Sequence, residues 1–179
     1  MLNQNECLLL VIDLQEKLVK MVGENTPVAT NCEKLLKAAK TLNIPSVITE
    51  QYPKGLGETI SSIKEANENA KYFEKTSFSA ISTEEIKRAV MDFNKKQIIL
   101  CGIEAHICVL QTALELKENG FEVYVVKDAC ASRKEENYTN ACSRLIQAGA
   151  IVTDTEITLF ELLRSSKHPN FKEIQGLIK

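Results

Sequence analysis

Residues 97–120, QIILCGIEAHICVLQTALELKENG, decide how the chain is to be read. Ile98, Ile99, Leu100 and Cys101 form a continuous apolar run that suits a buried strand, and Gly102 interrupts it. Apolar and small positions then recur at Ala105, Cys108, Val109, Thr112, Ala113 and Leu116, which is helical spacing, and Gly120 supplies a stop. Strand, break and helix in that order make a βα unit. Cys108 therefore sits near the start of a helix, where unpaired N–H groups and the positive end of the macrodipole favour an anion, so of the six cysteines this thiol is the one placed to become a thiolate.

The same alternation extends in both directions. Cys7 to Ile12 is a second continuous apolar run, ending at Asp13, and such runs belong to strands covered on both faces. Thr26 and Pro27 open a helical pattern through Val28, Cys32, Leu35, Leu36, Ala39 and Leu42, closed by Asn43. Ile44 to Thr49 reads as a strand, QYPKGLG at 51–57 as a loop, and 58–69 as a short helix plus loop. Tyr72 and Phe73 mark a third strand that stops at Glu74 and Lys75. Ser82 with Glu85 predicts a capping box ahead of Ile86, Ala89, Val90 and Phe93; Ser132 with Glu135 predicts another ahead of Tyr138, Ala141, Cys142, Leu145 and Ile146. Phe121 to Val126 is a strand ending at Lys127 and Asp128. Ala150 to Thr153 is the sixth strand, Ile157 to Leu163 a helix, and Phe171 to Ile178 a final amphipathic turn or two.

Six strands separated by connections too long for hairpins require right-handed crossovers. The expected fold is a single α/β domain over 1–179: three layers, α/β/α, around a six-stranded, mostly parallel, Rossmann-like sheet. Ligands of such sheets bind beyond the carboxyl ends of the strands, where strand order reverses, and Asp13, Lys75 and Cys108 all lie just beyond such ends. Each taken singly has an ordinary explanation as a packed cysteine, a loop carboxylate or a solvated lysine. Gathered on one rim, they make a nucleophile, a proton acceptor and a cation. Asp128 also follows a strand and competes for the base role. Glu104 and His106 are read by default as pocket rim or solvent-exposed groups. His168 lies in a polar tail, so no histidine is available to pair with the thiol.

Composition closes other avenues. With 44% hydrophobic and 26% charged residues in 179, the chain has enough apolar material for one sizeable core. Net charge is -2 with signs interleaved, which offers no stripe for nucleic acid and no cationic face for a membrane. No signal-peptide pattern and no stretch of about 20 apolar residues occurs, so the expectation is a cytoplasmic protein. The six cysteines form no C-x-x-C pair and are read as free thiols. Neither G-x-G-x-x-G nor a P-loop motif is present, and no acidic or histidine cluster has ligand spacing, so neither a nucleotide cofactor nor a metal is expected.

VIDLQ around Asp13 and Gln15, FEKTSFSA around Lys75 and Phe78, and CGIEAHICVLQTALELKENGFEVYVVKDACAS from Cys101 to Ser132 together resemble the isochorismatase-like cysteine hydrolases. TEQYPKGLG and the tail KHPNFKEIQGLI look like the branch whose substrates are unassigned. The resemblance implies a catalytic triad of Asp13, Lys75 and Cys108. It also implies a cis peptide between Ile103 and Glu104, and an oxyanion hole from the N–H groups of Glu104 and Cys108. Gln15, Tyr52, Phe78, Ala105 and Asp128 are the substrate-pocket candidates.

The implied chemistry is hydrolysis of a C–N bond in a small molecule, amide or carbamoyl, through a thioester, in a protein that forms homo-oligomers. Nicotinamidases of the family carry an Asp/His/His metal loop where this chain has QYPKGLG, so zinc is not expected. True isochorismatases replace the cysteine, and keeping Cys108 favours amide chemistry. Ala105 stands where the family often has Thr. The alternative is a binding or scaffold protein on the same fold, docking through its tail from His168 to Lys179.

Overall fold

The computed structural model describes residues 1–23 and 26–179. Its centre is a six-stranded sheet, all parallel: β1 (Cys7–Ile12), β2 (Ser46–Gln51), β3 (Lys71–Lys75), β4 (Gln97–Ile103), β5 (Glu122–Ala131) and β6 (Ile151–Thr153), in the order β3-β2-β1-β4-β5-β6. The chain runs outward from β1 to β3, crosses back to β4, and runs outward again. Strand order therefore reverses between β1 and β4, the two strands that are buried at every residue. That reversal opens the crevice in which α/β sheets bind ligands.

Helices cover both faces: α1 (Glu16–Val22), α2 (Val28–Thr41), α3 (Pro53–Leu56), α4 (Ser61–Ala66), α5 (Glu84–Asp92), α6 (Leu110–Glu118), α7 (Glu135–Gln147), α8 (Thr155–Leu163) and α9 (Phe171–Gly176). Helix α6 is preceded by a π-helical turn, Ala105–Val109. Helix α1 has no counterpart in the sequence expectations, and the QYPKGLG loop contains α3. Helix α2 begins at Val28, and the Thr26 hydroxyl donates to the Gly23 carbonyl instead of capping it.

Neither capping box forms. Ser82 donates to the Glu115 carboxylate at 2.7 Å and Thr83 occupies the cap of α5, while Ser132 faces His106 Nδ1 at 2.9 Å and Lys134 occupies the cap of α7. In both cases a partner distant in sequence took the hydroxyl from the local amide.

β5 runs on to Ala131 because it bulges. β4 advances from Leu100 to Gly102 while β5 advances from Val125 to Cys130, leaving Lys127 and Asp128 outside the ladder. Asp128 is thus within a strand and not beyond its end. The tail folds onto its own chain: Ile174 is buried, Phe171 meets Phe160 with ring centroids 6.4 Å apart, and Thr41 donates to Glu173 at 2.7 Å. No helix among the described residues is long and apolar enough to cross a membrane.

Candidate active site

Asp13 is the first residue past β1 and takes a left-handed conformation, φ 54°, which turns its side chain across the strand ends. Its N–H donates to the Thr49 carbonyl at 3.1 Å. One carboxylate oxygen accepts from Thr49 Oγ1 at 2.6 Å, and the other from Lys75 Nζ at 2.7 Å. The Lys75 ammonium also reaches Gln51 Oε1 at 2.7 Å and the carbonyls of Phe78 and Ser77 at 3.2 and 3.3 Å. Three ammonium protons thus face four acceptors. Both charged side chains are 0% exposed. Burial of this kind is tolerable only because each charge is paired and its remaining sites are bonded.

Cys108 lies in the π turn, 7% exposed, with its thiol near the Asp13 carboxylate and the Lys75 ammonium. The structure therefore brings Asp13, Lys75 and Cys108 together. Burial pushes Asp13 above the usual carboxylate range, against the opposing pull of Lys75, the bond from Thr49 and the nearby Cys108 thiol. The thiol is pushed up to about 12, first by burial and then by the negative charge of Asp13, with Lys75 opposing. Burial thus works against the thiolate that a helix start favours. A helix terminus contributes about 0.3–1 kcal/mol to an anion, which is too little to offset desolvation beside a carboxylate.

The Ile103–Glu104 peptide is cis. The Glu104 carbonyl accepts from the N–H groups of Ile107 and Val109 at 3.1 and 3.2 Å. The Glu104 side chain is not exposed on a rim. It is 6% exposed and its carboxylate accepts from Arg133 Nε at 3.0 Å and from the Arg133 backbone N–H at 3.0 Å. His106 is likewise tethered, between Ser132 and Asn137.

The pocket candidates divide. Gln15 is buried and its amide serves backbone: Nε2 donates to the carbonyls of Gln51 and Gly57 at 3.0 and 2.6 Å, and Oε1 accepts from Gln51 N–H at 2.7 Å. It ties the loops after β1 and β2 together and offers nothing to a substrate. Asp128 likewise stands apart from the triad. Its carboxylate accepts from Thr155 at the start of α8, through N–H at 2.8 Å, and from Asn31 of α2 at 3.1 Å. Ala105 is buried in the π turn. Tyr52 and Phe78, each 55% exposed, are the two that project at the loops beside Lys75. Tyr52 donates its N–H to the Lys75 carbonyl at 2.9 Å and lays its ring against Gly55, where a Cβ would come within 2.5 Å of it.

Sequence reasoning missed Thr49, Gln51 and Arg133. A threonine closing an apolar strand and a glutamine two residues on, hence on the same face, were signals for the first two.

A groove of about 690 Å³ elsewhere is lined by Glu50, Glu58, Glu68, Tyr72 and Glu74. Strand alternation points Glu50 and Glu74 to the face opposite Gln51 and Lys75, so this groove is separate from the thiol. Among the described residues no group of three or more His, Cys, Asp or Glu could hold a metal ion.

The sequence profile of the Isochorismatase domain matches residues 7–157. Isochorismatase domain-containing protein 2 of Danio rerio is 44% identical over 171 residues, covering 95% of this chain and 85% of the relative. Among solved structures, the MAR1 ribonuclease of Caenorhabditis elegans superposes with a TM-score of 0.93 at 42% identity, covering 99% of this chain and 91% of that one. The YcaC gene product of Escherichia coli, described as an octameric hydrolase of unknown specificity, superposes with a TM-score of 0.89 at 27% identity, covering 99% and 94%.

Proposed function

Because the chain belongs to the isochorismatase family, we propose that it is a cysteine-dependent hydrolase cleaving the C–N bond of a small amide or carbamoyl compound. The observation that carries the reading is a single buried carboxylate, Asp13, bonded to the Lys75 ammonium and neighboured by the Cys108 thiol. Asp13 takes the thiol proton as sulfur attacks the carbonyl carbon, and the amides of Glu104 and Cys108 receive the oxyanion. The protonated Asp13 then passes that proton to the leaving nitrogen. The C–N bond breaks and a thioester remains. Water, deprotonated by Asp13, attacks the thioester; the C–S bond breaks and the proton returns to sulfur. Lys75 orients the carboxylate throughout.

The test is release of ammonia or amine from a panel of small amides, with peptide mass of the Cys108 segment read during turnover. An acyl adduct on Cys108, and loss of turnover in Cys108→Ala, are expected. Turnover that survives Cys108→Ala removes this mechanism.

The name of the C. elegans neighbour favours a second reading, RNA cleavage. Against it stands the balance of charge: the net charge is -2 with both signs interleaved along the chain, whereas a phosphodiester strand needs several cations on one face. Cleavage of a labelled RNA by the wild type but not by Cys108→Ala would support it.

The octameric E. coli neighbour supports assembly of this chain into a homo-oligomer. Edge strand β6 and its flanking helices expose Ile146, Ile151, Ile157 and Phe160, apolar area of the kind subunits cover. Light scattering after gel filtration reads the mass directly. The six cysteines, all free, suit a reducing compartment such as the cytoplasm.

A further inference from the structure

The sheet order sets β2 between β1, which Asp13 follows, and β3, which Lys75 ends. Two side chains of β2, two residues apart and so on one face, each reach one member of the buried ion pair. Thr49 Oγ1 donates to Asp13 Oδ1 at 2.6 Å, and Gln51 Oε1 accepts from Lys75 Nζ at 2.7 Å. Glu50, between them, points to the opposite face. β2 thus supplies none of the three reacting groups, yet it braces two of them.

Of the two braces, Thr49 is the harder to replace. Lys75 has three protons for four acceptors, so losing Gln51 still leaves one acceptor for each proton. The Asp13 carboxylate has no such reserve: Lys75 holds Oδ2 and Thr49 holds Oδ1. A carboxylate gripped at one oxygen turns about its Cβ–Cγ bond, a broad torsion, whereas one gripped at both has its plane fixed. The Asp13 N–H, donating to the Thr49 carbonyl at 3.1 Å, ties the two residues a second time. Both residues are 0% exposed, so no bulk solvent stands in for the hydroxyl, and branching at Cβ restricts the rotamers that would turn it away. The titratable groups that face the carboxylate are Lys75 from β3 and Cys108 from the π turn; β2 presents only the neutral hydroxyl. Burial favours the protonated carboxyl, and Lys75 and Thr49 oppose it.

Building on the hydrolase reading, we infer that Thr49 is a positioning residue: its hydroxyl holds the Asp13 carboxylate ionised and aligned as the acceptor of the Cys108 proton. It acts through Asp13 alone.

The experiment follows alkylation of Cys108 by iodoacetamide against pH, read by peptide mapping, and needs no substrate. Because thiol and carboxyl titrate as a pair, the rate should climb with pH until Asp13 loses its proton and then level off. On that plateau a fixed minority of molecules carries the proton on Asp13 and the charge on sulfur. Thr49→Val keeps the shape of the side chain and removes the donor. The midpoint of the climb should then move up by about one pH unit and the plateau should rise about tenfold, since a hydrogen bond favours a charged acceptor over a neutral one. Thr49→Ser should restore both. A Thr49→Val midpoint within about 0.3 pH unit of wild type, a downward move, or a Thr49→Ser variant that restores nothing overturns the inference and leaves the hydrolase reading standing. If Thr49→Val fails to fold, the wild type decides. Its Thr49 hydroxyl proton, seen by NMR in threonine-labelled protein, should resist exchange with water and change shift as pH crosses the midpoint; a signal that exchanges freely or stays fixed overturns the inference. A Cys108 that is never alkylated, or whose rate climbs without a plateau to the ordinary thiol value of 9.0, overturns both.

Discussion

Replacing Lys75 by Met tests the centre of the site. The substitution keeps most of the side-chain volume and removes only the ammonium, so what changes is electrostatic. Asp13 loses its partner at 2.7 Å while remaining 0% exposed, and Gln51 Oε1 and the carbonyls of Ser77 and Phe78 lose their donor. Removing one member of a buried pair costs about 3–5 kcal/mol. At a urea dependence of about 2 kcal/mol/M, that lowers the unfolding midpoint by roughly 1.5–2.5 M.

The loss must also depend on pH. Asp13 in the folded protein is already held above its unfolded value, so its protonation favours folding below the unfolded value, and that benefit fades as pH rises through the folded one. Without Lys75, the strongest opposing influence, the folded value moves further up. The Lys75→Met deficit is then largest near neutral pH and shrinks in acid. Urea melts of wild type, Lys75→Met, Asp13→Asn and the double variant, at about pH 7.5 and about pH 4.5, measure this. The double variant should recover much of the loss, since it leaves no unpaired charge. A Lys75→Met cost under about 1 kcal/mol, the range of an exposed pair, with no pH dependence, would refute the buried-pair argument.

Asp13→Asn should abolish turnover yet make Cys108 more reactive. Removing the carboxylate charge lowers the thiol value while Lys75 stays, so alkylation at neutral pH speeds up, and slower alkylation would contradict the assigned cause. Gly102→Ala should prevent normal folding, because a Cβ there falls 2.1 Å from the Ile12 carbonyl oxygen and 2.6 Å from its nitrogen, at φ 122°; a soluble variant with wild-type melting would show that β1 and β4 can part. Asp128→Ala should cost about 1–3 kcal/mol in thermal or urea melts through loss of its bonds to Thr155 and Asn31, while leaving Cys108 alkylation unchanged.

The sheet was legible in the sequence because parallel strands covered on both faces leave an unmixed signal: Cys7 to Ile12 and Ile98 to Cys101 are apolar without interruption. That Asp13, Lys75 and Cys108 would lie near one another was legible for a related reason, since segments at the carboxyl ends of parallel strands share one rim. What failed depended on partners far away in sequence. Ser82 and Ser132 satisfy a capping pattern, but Glu115 and His106 claimed their hydroxyls. Lys127 and Asp128 look like a strand end, yet Asn31 and Thr155 hold Asp128 on a bulge. Arg133 had no local signal at all; only the fold brings it to Glu104. The depth of Cys108 was likewise not legible: a helix start argues for an anion, and the burial that opposes it comes from the whole fold.

The burial of that thiol constrains the proposed chemistry more than the grouping of the three side chains does by itself. A neutral thiol beside a carboxylate places one transferable proton between sulfur and Asp13, while Lys75, bonded to four acceptors, is fixed. Both Asp13 and Cys108 are shifted toward their protonated forms. Turnover should accordingly show an acid limb where Asp13 gains a proton, above the ordinary carboxylate value, and a plateau across neutral and mildly alkaline pH. The thiol, displaced from its ordinary 9.0 to about 12, contributes no limb in that range. The profile of kcat/KM against pH reports groups on the free enzyme. An alkaline inflection near 9 would mean that the sulfur titrates like a solvated thiol, and a proton held between Cys108 and Asp13 could then not be the one that reaches the leaving nitrogen.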